Sequence, residues 1–332
     1  MTFIGVDIGG TNIRLIAMDV SGRIVARRRF RTSPERGAQE TIGSIIDTIQ
    51  DIASDANVGP PQAIGIGITG PVDMATGIVS NPYTLGDWPS TDLRAPFTEV
   101  FNVPVVIDND ANVAAVGEWW VGAGRGTRRM TMVTIGTGIG VASLIDGKLQ
   151  RTTGGQHGEA GHMVLDPSGP QCYCGARGCW EVLASGTAIE RQARAMKGPI
   201  IGSDRAAKID DEDQTAGEML FAAAAAGDAA AQQAVEAVAE WTALGLVNLA
   251  ATAMPDIFVM SGGVMAHYAS LHPLIVKVLK AHSVMIPTDI PVVVAELGDD
   301  AGAVGAGKQA IDTMDEQAVE ASSKVDRKAI EI

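Results

Sequence analysis

The chain has 332 residues, 46% of them hydrophobic, and its 39 acidic against 25 basic residues give a formal net charge of −14. That length exceeds one simple core and predicts two lobes. The charge disfavours nucleic acid and anionic membrane as partners, because the mean field of the chain repels both. The first residues enter a strand pattern with no basic-then-apolar leader, and no uninterrupted apolar run matches a bilayer's thickness, so a cytoplasmic protein is expected.

In chain order, Phe3–Ile8 and Ile13–Val20 are strand-like runs joined by the turn Gly9-Gly10-Thr11-Asn12, and Ser21-Gly22 turns into a third strand, Arg23–Phe30. Ile42, Ile45, Ile46, Ile49 and Ile52 then recur at helical spacing, Ala63–Thr69 reads as a strand, and Val103–Asp108 precedes a helix over 111–120. Met130–Ile135, the turn Gly136-Thr137-Gly138-Ile139-Gly140, and Val141–Ile145 repeat the opening plan, which suggests internal duplication. A long Ala-rich helical region follows over 216–253, then strands at Ile257–Ser261, ending on Gly262-Gly263, and at 292–296. The pattern predicts a small α/β lobe over 1–113, a large α/β lobe over 114–299, a Gly- and Ala-rich helix over 300–314 packing back on the small lobe, and a charged tail over 315–332 that is a helix extension or disordered.

One His and all three cysteines fall within about eighteen residues, in Glu159-Ala-Gly-His162 and Cys172-Tyr-Cys174-Gly-Ala-Arg-Gly-Cys179-Trp-Glu181. Three thiolates and one imidazole satisfy tetrahedral zinc and leave no position open for water, the mark of a structural site. Buried free cysteines are the alternative. A disulfide fits worse, because three is odd and Cys-x-Cys pairs poorly. Gathered cysteines also suit a reducing compartment.

Two further matches are set aside. Gly65-Ile-Gly67-Ile-Thr-Gly70 has the dinucleotide spacing, but its glycines alternate within a strand and a turn follows where a helix is needed. Gly302–Lys308 resembles a P-loop, yet Gln309 stands where magnesium needs Ser or Thr. The two glycine-rich hairpin turns are better phosphate sites, since Gly9, Gly10 and Thr11, and again Gly136, Thr137, Gly138 and Gly140, present backbone N–H groups without side-chain interference. Facing each other across a cleft, they would clamp a triphosphate. A β-branched residue at Gly138 is expected to impair binding of such a phosphate ligand, by filling a phosphate's place and resisting positive φ. Asp7 can hold Mg²⁺ through water, and adenine or ribose can approach the backbone at Gly262-Gly263.

Taken in order, Asp7-Ile-Gly-Gly-Thr-Asn12, Gly65-Ile-Gly-Ile-Thr-Gly-Pro-Val-Asp73, Asn109-Asp110-Ala-Asn112, Gly136–Gly140, Gly158-Glu-Ala-Gly-His162 and the Cys172–Glu181 loop resemble the ROK family of sugar kinases, bacterial glucokinases above all, over residues 3 to about 312. The resemblance implies a two-lobed ribonuclease-H-like α/β fold of the actin and hexokinase superfamily, with ATP, magnesium and sugar in a central cleft. It implies Asp110 as catalytic base, His162, Cys172, Cys174 and Cys179 on structural zinc, and Asp7, Gly9, Gly10, Thr11, Asn12, Gly136, Thr137, Gly138, Gly140, Gly262 and Gly263 at the nucleotide. Asn109, Glu159, His162 and Glu181 are implied to bind sugar hydroxyls, His162 using one ring nitrogen for zinc and the other for sugar. A homodimer or homotetramer is expected. The family's Asn-Leu pair before a Trp is replaced by Thr84-Leu85-Gly86-Asp87-Trp88. Glucose is the first expectation for substrate, with N-acetylmannosamine, N-acetylglucosamine, allose or fructose behind it. Family members that act as sugar-responsive repressors add an N-terminal helix-turn-helix, which is not expected here because the phosphate loop starts at residue 7.

Overall fold

The computed structural model describes residues 1–55, 58–70, 72–81, 85, 88, 90–152, 158–196, 215–282 and 289–330, with Pro34 and residues 318–330 as backbone only. The chain divides into two compact units. The first comprises Met1–Gly126, Gly147–His157 and Glu296–Ile332, and the second Thr127–Asp146 and Gly158–Ala295.

The first unit opens with β1 (Thr2–Ile8), β2 (Asn12–Met18) and β3 (Ile24–Arg31), an antiparallel meander. Helix α1 (Gly37–Ser54) returns the chain so that β4 (Pro61–Ile68) lies parallel to β1. Three two-residue strands follow, β5 (Val72–Asp73), β6 (Ile78–Val79) and β7 (Thr91–Asp92), then α2 (Ala95–Phe101). β8 (Val105–Asn109) joins parallel to β4 and runs directly into α3 (Asp110–Val121), giving the strand order β3-β2-β1-β4-β8. The period-two alternation of a strand sorts β1 onto two cores. Ile4, Val6 and Ile8 pack with Ile42, Ile45, Ile49 and Ile52 of α1, whereas Phe3 packs with Ala303, Val304, Ala310 and Ile311 of the C-terminal helix, Ala301–Ile330. Asp7 has the parity of Phe3 and Gly5, and a Cβ on Gly302 of that helix would come within 2.7 Å of its carboxyl carbon.

The glycines of the two discarded motifs have a packing role here. A Cβ at Gly65 would overlap the Ala306 carbonyl, one at Gly5 the Ala303 carbonyl, and one at Gly305 the Val113 carbonyl. Glycine is what lets the C-terminal helix lie against β1, β4 and α3 at backbone distance.

The second unit repeats the plan. β9 (Arg129–Ile135) and β10 (Ile139–Ile145) form an antiparallel hairpin, and β11 (Lys148–Leu149) follows in the chain. The helices α4 (Trp180–Ala184), α5 (Gly186–Ala195), α6 (Ala216–Ala225) and α7 (Ala229–Ala253) lead to β12 (Ile257–Ser261), α8 (Tyr268–Ala281) and β13 (Val292–Val294). β12 is parallel to β9 and to β13, so β10-β9-β12-β13 matches β2-β1-β4-β8 strand for strand. α7 is long and apolar enough to cross a membrane, but 56% of its apolar window is buried, and its Gly245 lets the Trp180 ring lie against it. It is the spine of the second core.

The division differs from expectation at both ends of the large lobe and within it, where Gly147–His157 belongs to the first unit. The first crossing falls at Gly126/Thr127 rather than 113/114, because α3 packs along the C-terminal helix and so stays whole in the first unit. The return falls at Ala295/Glu296, not 299. Glu118 of α3, fully buried, accepts the backbone N–H groups of Ala123 (2.8 Å), Glu296 (3.0 Å) and Leu297 (2.7 Å), and so ties both crossover segments to one helix. The charged tail begins as a continuation of the C-terminal helix, whose backbone runs to Ile330.

Candidate functional site

In the first unit the turn after β1 is held from β3's far end: Gly9 N–H donates to the Asn12 carbonyl at 3.1 Å, Thr32 N–H to Thr11 at 2.9 Å, and the Thr32 hydroxyl to Gly9 at 2.6 Å. Thr11 is exposed, Gly9, Gly10 and Asn12 half-buried, and Asn12 Oδ1 accepts from Arg29 at 3.2 Å. Beside this turn, burial first, and then the nearby Asp110 carboxylate, push the Asp7 carboxyl up to about 7, against the opposing pull of Arg14 at 3.8 Å. A carboxylate so poorly compensated fits a divalent cation, which would favour its charged form.

Asn109 is the N-cap of α3, its Oδ1 accepting the Ala111 N–H at 2.9 Å while Nδ2 points to the Gly70 carbonyl at 3.4 Å. Expected to meet sugar, Asn109 first starts the helix. Asp110 is then the first helical residue, half-buried, with Oδ1 2.8 Å from the Ala111 N–H. The positive end of the helix favours its ionised form. Directly behind it lies a feature the sequence reading missed. Asp108, 1% exposed, accepts from Asn109 N–H (2.7 Å), Asn112 Nδ2 (2.9 Å), Gln309 Nε2 (2.6 Å) and the Arg151 guanidinium. With this many donors the buried carboxylate is held in place, and it fixes the strand end from which Asp110 springs. Its one sequence signal is a carboxylate at a core position of an apolar strand.

In the second unit the four residues expected to ligate metal, His162, Cys172, Cys174 and Cys179, converge. Their donor atoms lie within 4.8 Å of one another, with Cys174 Sγ 3.5 Å from Cys179 Sγ and Cys172 Sγ 3.5 Å from His162 Nδ1. A tetrahedral zinc with bonds of about 2.0–2.3 Å needs edges of about 3.5–3.8 Å, so this donor set fits. Gly175 and Gly178 take positive φ, +95° and +64°, at the two bends of the loop. Burial raises the Cys179 thiol, whereas the Ala176 backbone donor lowers exposed Cys174, and a dication would hold both as thiolates.

This loop and the second glycine-rich turn are one construction. Gly161 brings the Ala160–His162 turn against the Ile139 carbonyl, where a Cβ would overlap it. Glu181, in the first turn of α4, accepts the Ile139 N–H at 2.8 Å, and Glu159 is exposed at the start of the turn that carries His162. Gly136 N–H donates to Gly138 at 3.0 Å, and Gly186 N–H to Gly136 at 2.7 Å. Gly262, at φ +92° after β12, lies so close to the Ile135 backbone that no Cβ fits, whereas a Cβ on Gly263 meets nothing.

One expectation is reversed here. Gly138 does not take positive φ, and a Cβ on it would strike the Glu181 carboxylate, so a bulky residue there disturbs Glu181 as well as the turn. Gly136, also without positive φ and open to the addition of a Cβ, is the cleaner position. Gly136→Val should raise the ATP KM about tenfold or more and leave the calorimetric sugar Kd within about twofold, since its side chain meets only what approaches the turn. Equal losses for both ligands would contradict this. Of the divergent 84–88 segment, Thr84, Gly86 and Asp87 lie outside the described residues, while Leu85 and Trp88 are buried in the first core.

A duplicated sheet, a glycine-rich hairpin turn at the same place in each copy, and a helix starting on a carboxylate define the ribonuclease-H-like class of the actin and hexokinase superfamily. The chain belongs to the ROK family, which it matches over residues 3–312. It is 33% identical over 309 residues to a glucokinase of Halalkalibacterium halodurans, covering 92% of this chain and 93% of that one. The structure of a ROK family glucokinase from Streptomyces griseus in complex with glucose and AMPPNP superposes with a TM-score of 0.74 at 32% identity, over 93% of this chain and 99% of that one. A xylose repressor of Bacillus subtilis is 38% identical over 188 residues, 56% of this chain and 48% of the repressor.

Proposed function

We propose that this hexose kinase transfers the γ-phosphoryl group of ATP to a hexose hydroxyl, with glucose as first substrate and glucose 6-phosphate as product. The observation that carries the reading is the placement of Asp7 and Asp110 in one unit at one end of one sheet: Asp7 is in register with Gly67 of β4, Gly67 with Asp108 of β8, and Asp110 opens the helix directly after β8. Phosphoryl transfer to a sugar needs one carboxylate to take the acceptor's proton and another beside the phosphates for the metal. Asp110 takes the proton, its carboxylate set at the positive end of α3 and held there by the Asn109 cap and the buried Asp108 two residues before it. Asp7 receives magnesium, which when bound neutralises phosphate charge. The turns Gly9–Thr11 and Gly136–Gly140 cradle the phosphates through the N–H groups of Gly10, Thr11, Thr137 and Gly138, since those of Gly9, Gly136 and Ile139 hold the turns themselves and Glu181, and Gly262-Gly263 admits the nucleoside.

Glu159, His162 and Glu181 hold the sugar, and zinc on His162, Cys172, Cys174 and Cys179 keeps the loop that presents them in shape. Asn109 completes the set through its amide. The similarity to glucokinases supports glucose; N-acetylmannosamine, N-acetylglucosamine, allose and fructose are the alternatives, since the same polar side chains suit each. We further assign the protein to the cytoplasm, as a homodimer or homotetramer.

A sugar-sensing regulator is the second reading, favoured by the similarity to the xylose repressor. A sugar panel with ATP and Mg²⁺ in an ADP-release assay separates the two. The kinase reading expects sugar-dependent ADP release, highest in kcat/KM for glucose; sugar binding without any turnover, together with a sugar-sensitive gel shift on upstream DNA, would favour the regulator.

A further inference from the structure

The zinc loop places Tyr173 between two of its cysteines. The main chain there is tied down: Cys172 N–H donates to the Ala176 carbonyl at 2.8 Å, Gly175 N–H to Cys172 at 3.1 Å, and Gln171 Nε2 reaches the carbonyls of Cys172, Gly175 and Ala176 at 3.2–3.3 Å. The side chain is 75% exposed, unusual for an aromatic ring held on so tight a loop. Its polar end nevertheless turns inward. The hydroxyl lies 3.1 Å from His162 Nε2 and hydrogen-bonds Glu181, while the ring meets the imidazole edge-on, with centroids 5.1 Å apart at 84°.

The chemistry of these contacts is specific. His162 turns Nδ1 toward Cys172 Sγ, on the metal side, so the ring proton belongs on Nε2. A phenol has one proton to give and lone pairs to accept with. It therefore accepts from Nε2–H and donates to the Glu181 carboxylate. A sugar hydroxyl bound by the same two side chains makes the same pair of bonds.

We propose that the Tyr173 hydroxyl is a resident stand-in for a sugar hydroxyl: it occupies His162 and Glu181 in the sugar-free chain and must be displaced by the incoming hexose, which makes it a determinant of sugar affinity. This rests on the sugar-binding reading of His162 and Glu181. The exposed ring can leave by side-chain rotation, because little packing holds it, whereas the backbone and the cysteines beside it stay in place. Two hydrogen bonds are exchanged for two, so the hydroxyl weakens sugar binding without closing the site.

The test is Tyr173→Phe in the zinc-loaded full chain. Sugar KM, and sugar Kd by calorimetry without nucleotide, should each fall about three- to tenfold, the scale of one net hydrogen bond. ATP KM and zinc content should stay at the parent's values. A second readout needs no sugar: in ¹⁵N-labelled protein the His162 Nε2 resonance should move on Tyr173→Phe, and in the parent it should move when glucose is added. Unchanged or weaker sugar binding by the variant, or a His162 resonance indifferent to the substitution, overturns the proposal while leaving the kinase reading intact. A parent chain that binds no hexose would instead remove the reading and the proposal with it.

Discussion

Asp110→Asn should lower kcat about 10²–10⁴-fold at saturating ATP and sugar, while the sugar Kd stays within about threefold. The substitution removes the proposed general base and little else. An Asn oxygen can still accept the Ala111 N–H that Asp110 Oδ1 meets at 2.8 Å, and Asn109 still caps the helix, so α3 keeps its start. Asp7 gains a neutral neighbour, which eases its ionisation and leaves the place for magnesium no worse. The loss should therefore fall on the chemical step, read as a drop in kcat with calorimetric sugar binding preserved. A variant with near-normal kcat would mean that another group takes the proton.

Cys174→Ala should reduce zinc from about one per chain to a small fraction and cost most of the sugar affinity, with ATP binding affected less. Structural zinc contributes on the order of 10 kcal/mol to folding small zinc peptides, more than enough to decide whether a loop such as Cys172–Glu181 is ordered. Without the metal, Cys179 is a buried thiol and His162 has no ligand bond fixing its tautomer. Glu181 lies in the first turn of α4, two residues past Cys179, so it moves with the loop. It also holds the Ile139 N–H, which is the route by which a smaller effect should reach the second glycine-rich turn. Metal analysis by mass spectrometry, with sugar and nucleotide titrations of the same sample, reads all three quantities. Metal-free protein that binds sugar normally would reduce the cluster to a stabilising device.

What was legible in the sequence was whatever chemistry is written in neighbouring residues. The hairpin at Gly9–Asn12, its repeat at Gly136–Gly140 and the cysteine loop each occupy one short stretch; both hairpins form where read, and the loop brings its three thiols together with His162. The Asp108 cluster was not legible, because Arg151 and Gln309 lie 43 and 201 residues away and only the packing of the C-terminal helix brings the latter home. The lobe boundary was missed for a similar reason. The apolar residues of α3 do not say which core they enter, and the small-residue contacts Gly117–Ala301 and Gly305–Val113 decide it. Gly138 shows the limit of reasoning from glycine alone: its missing side chain makes room for Glu181, a residue 43 positions on in the sequence.

The most direct measurement is a crystal structure of the chain with zinc, glucose and a non-hydrolysable ATP analogue with Mg²⁺. The account predicts the acceptor hydroxyl within about 3.2 Å of an Asp110 oxygen, other sugar hydroxyls on Glu159, His162 Nε2 and Glu181, and the analogue's phosphates on the glycine-rich turns. Glucose bound with every hydroxyl beyond reach of Asp110, or held without Glu181 and His162, would contradict it.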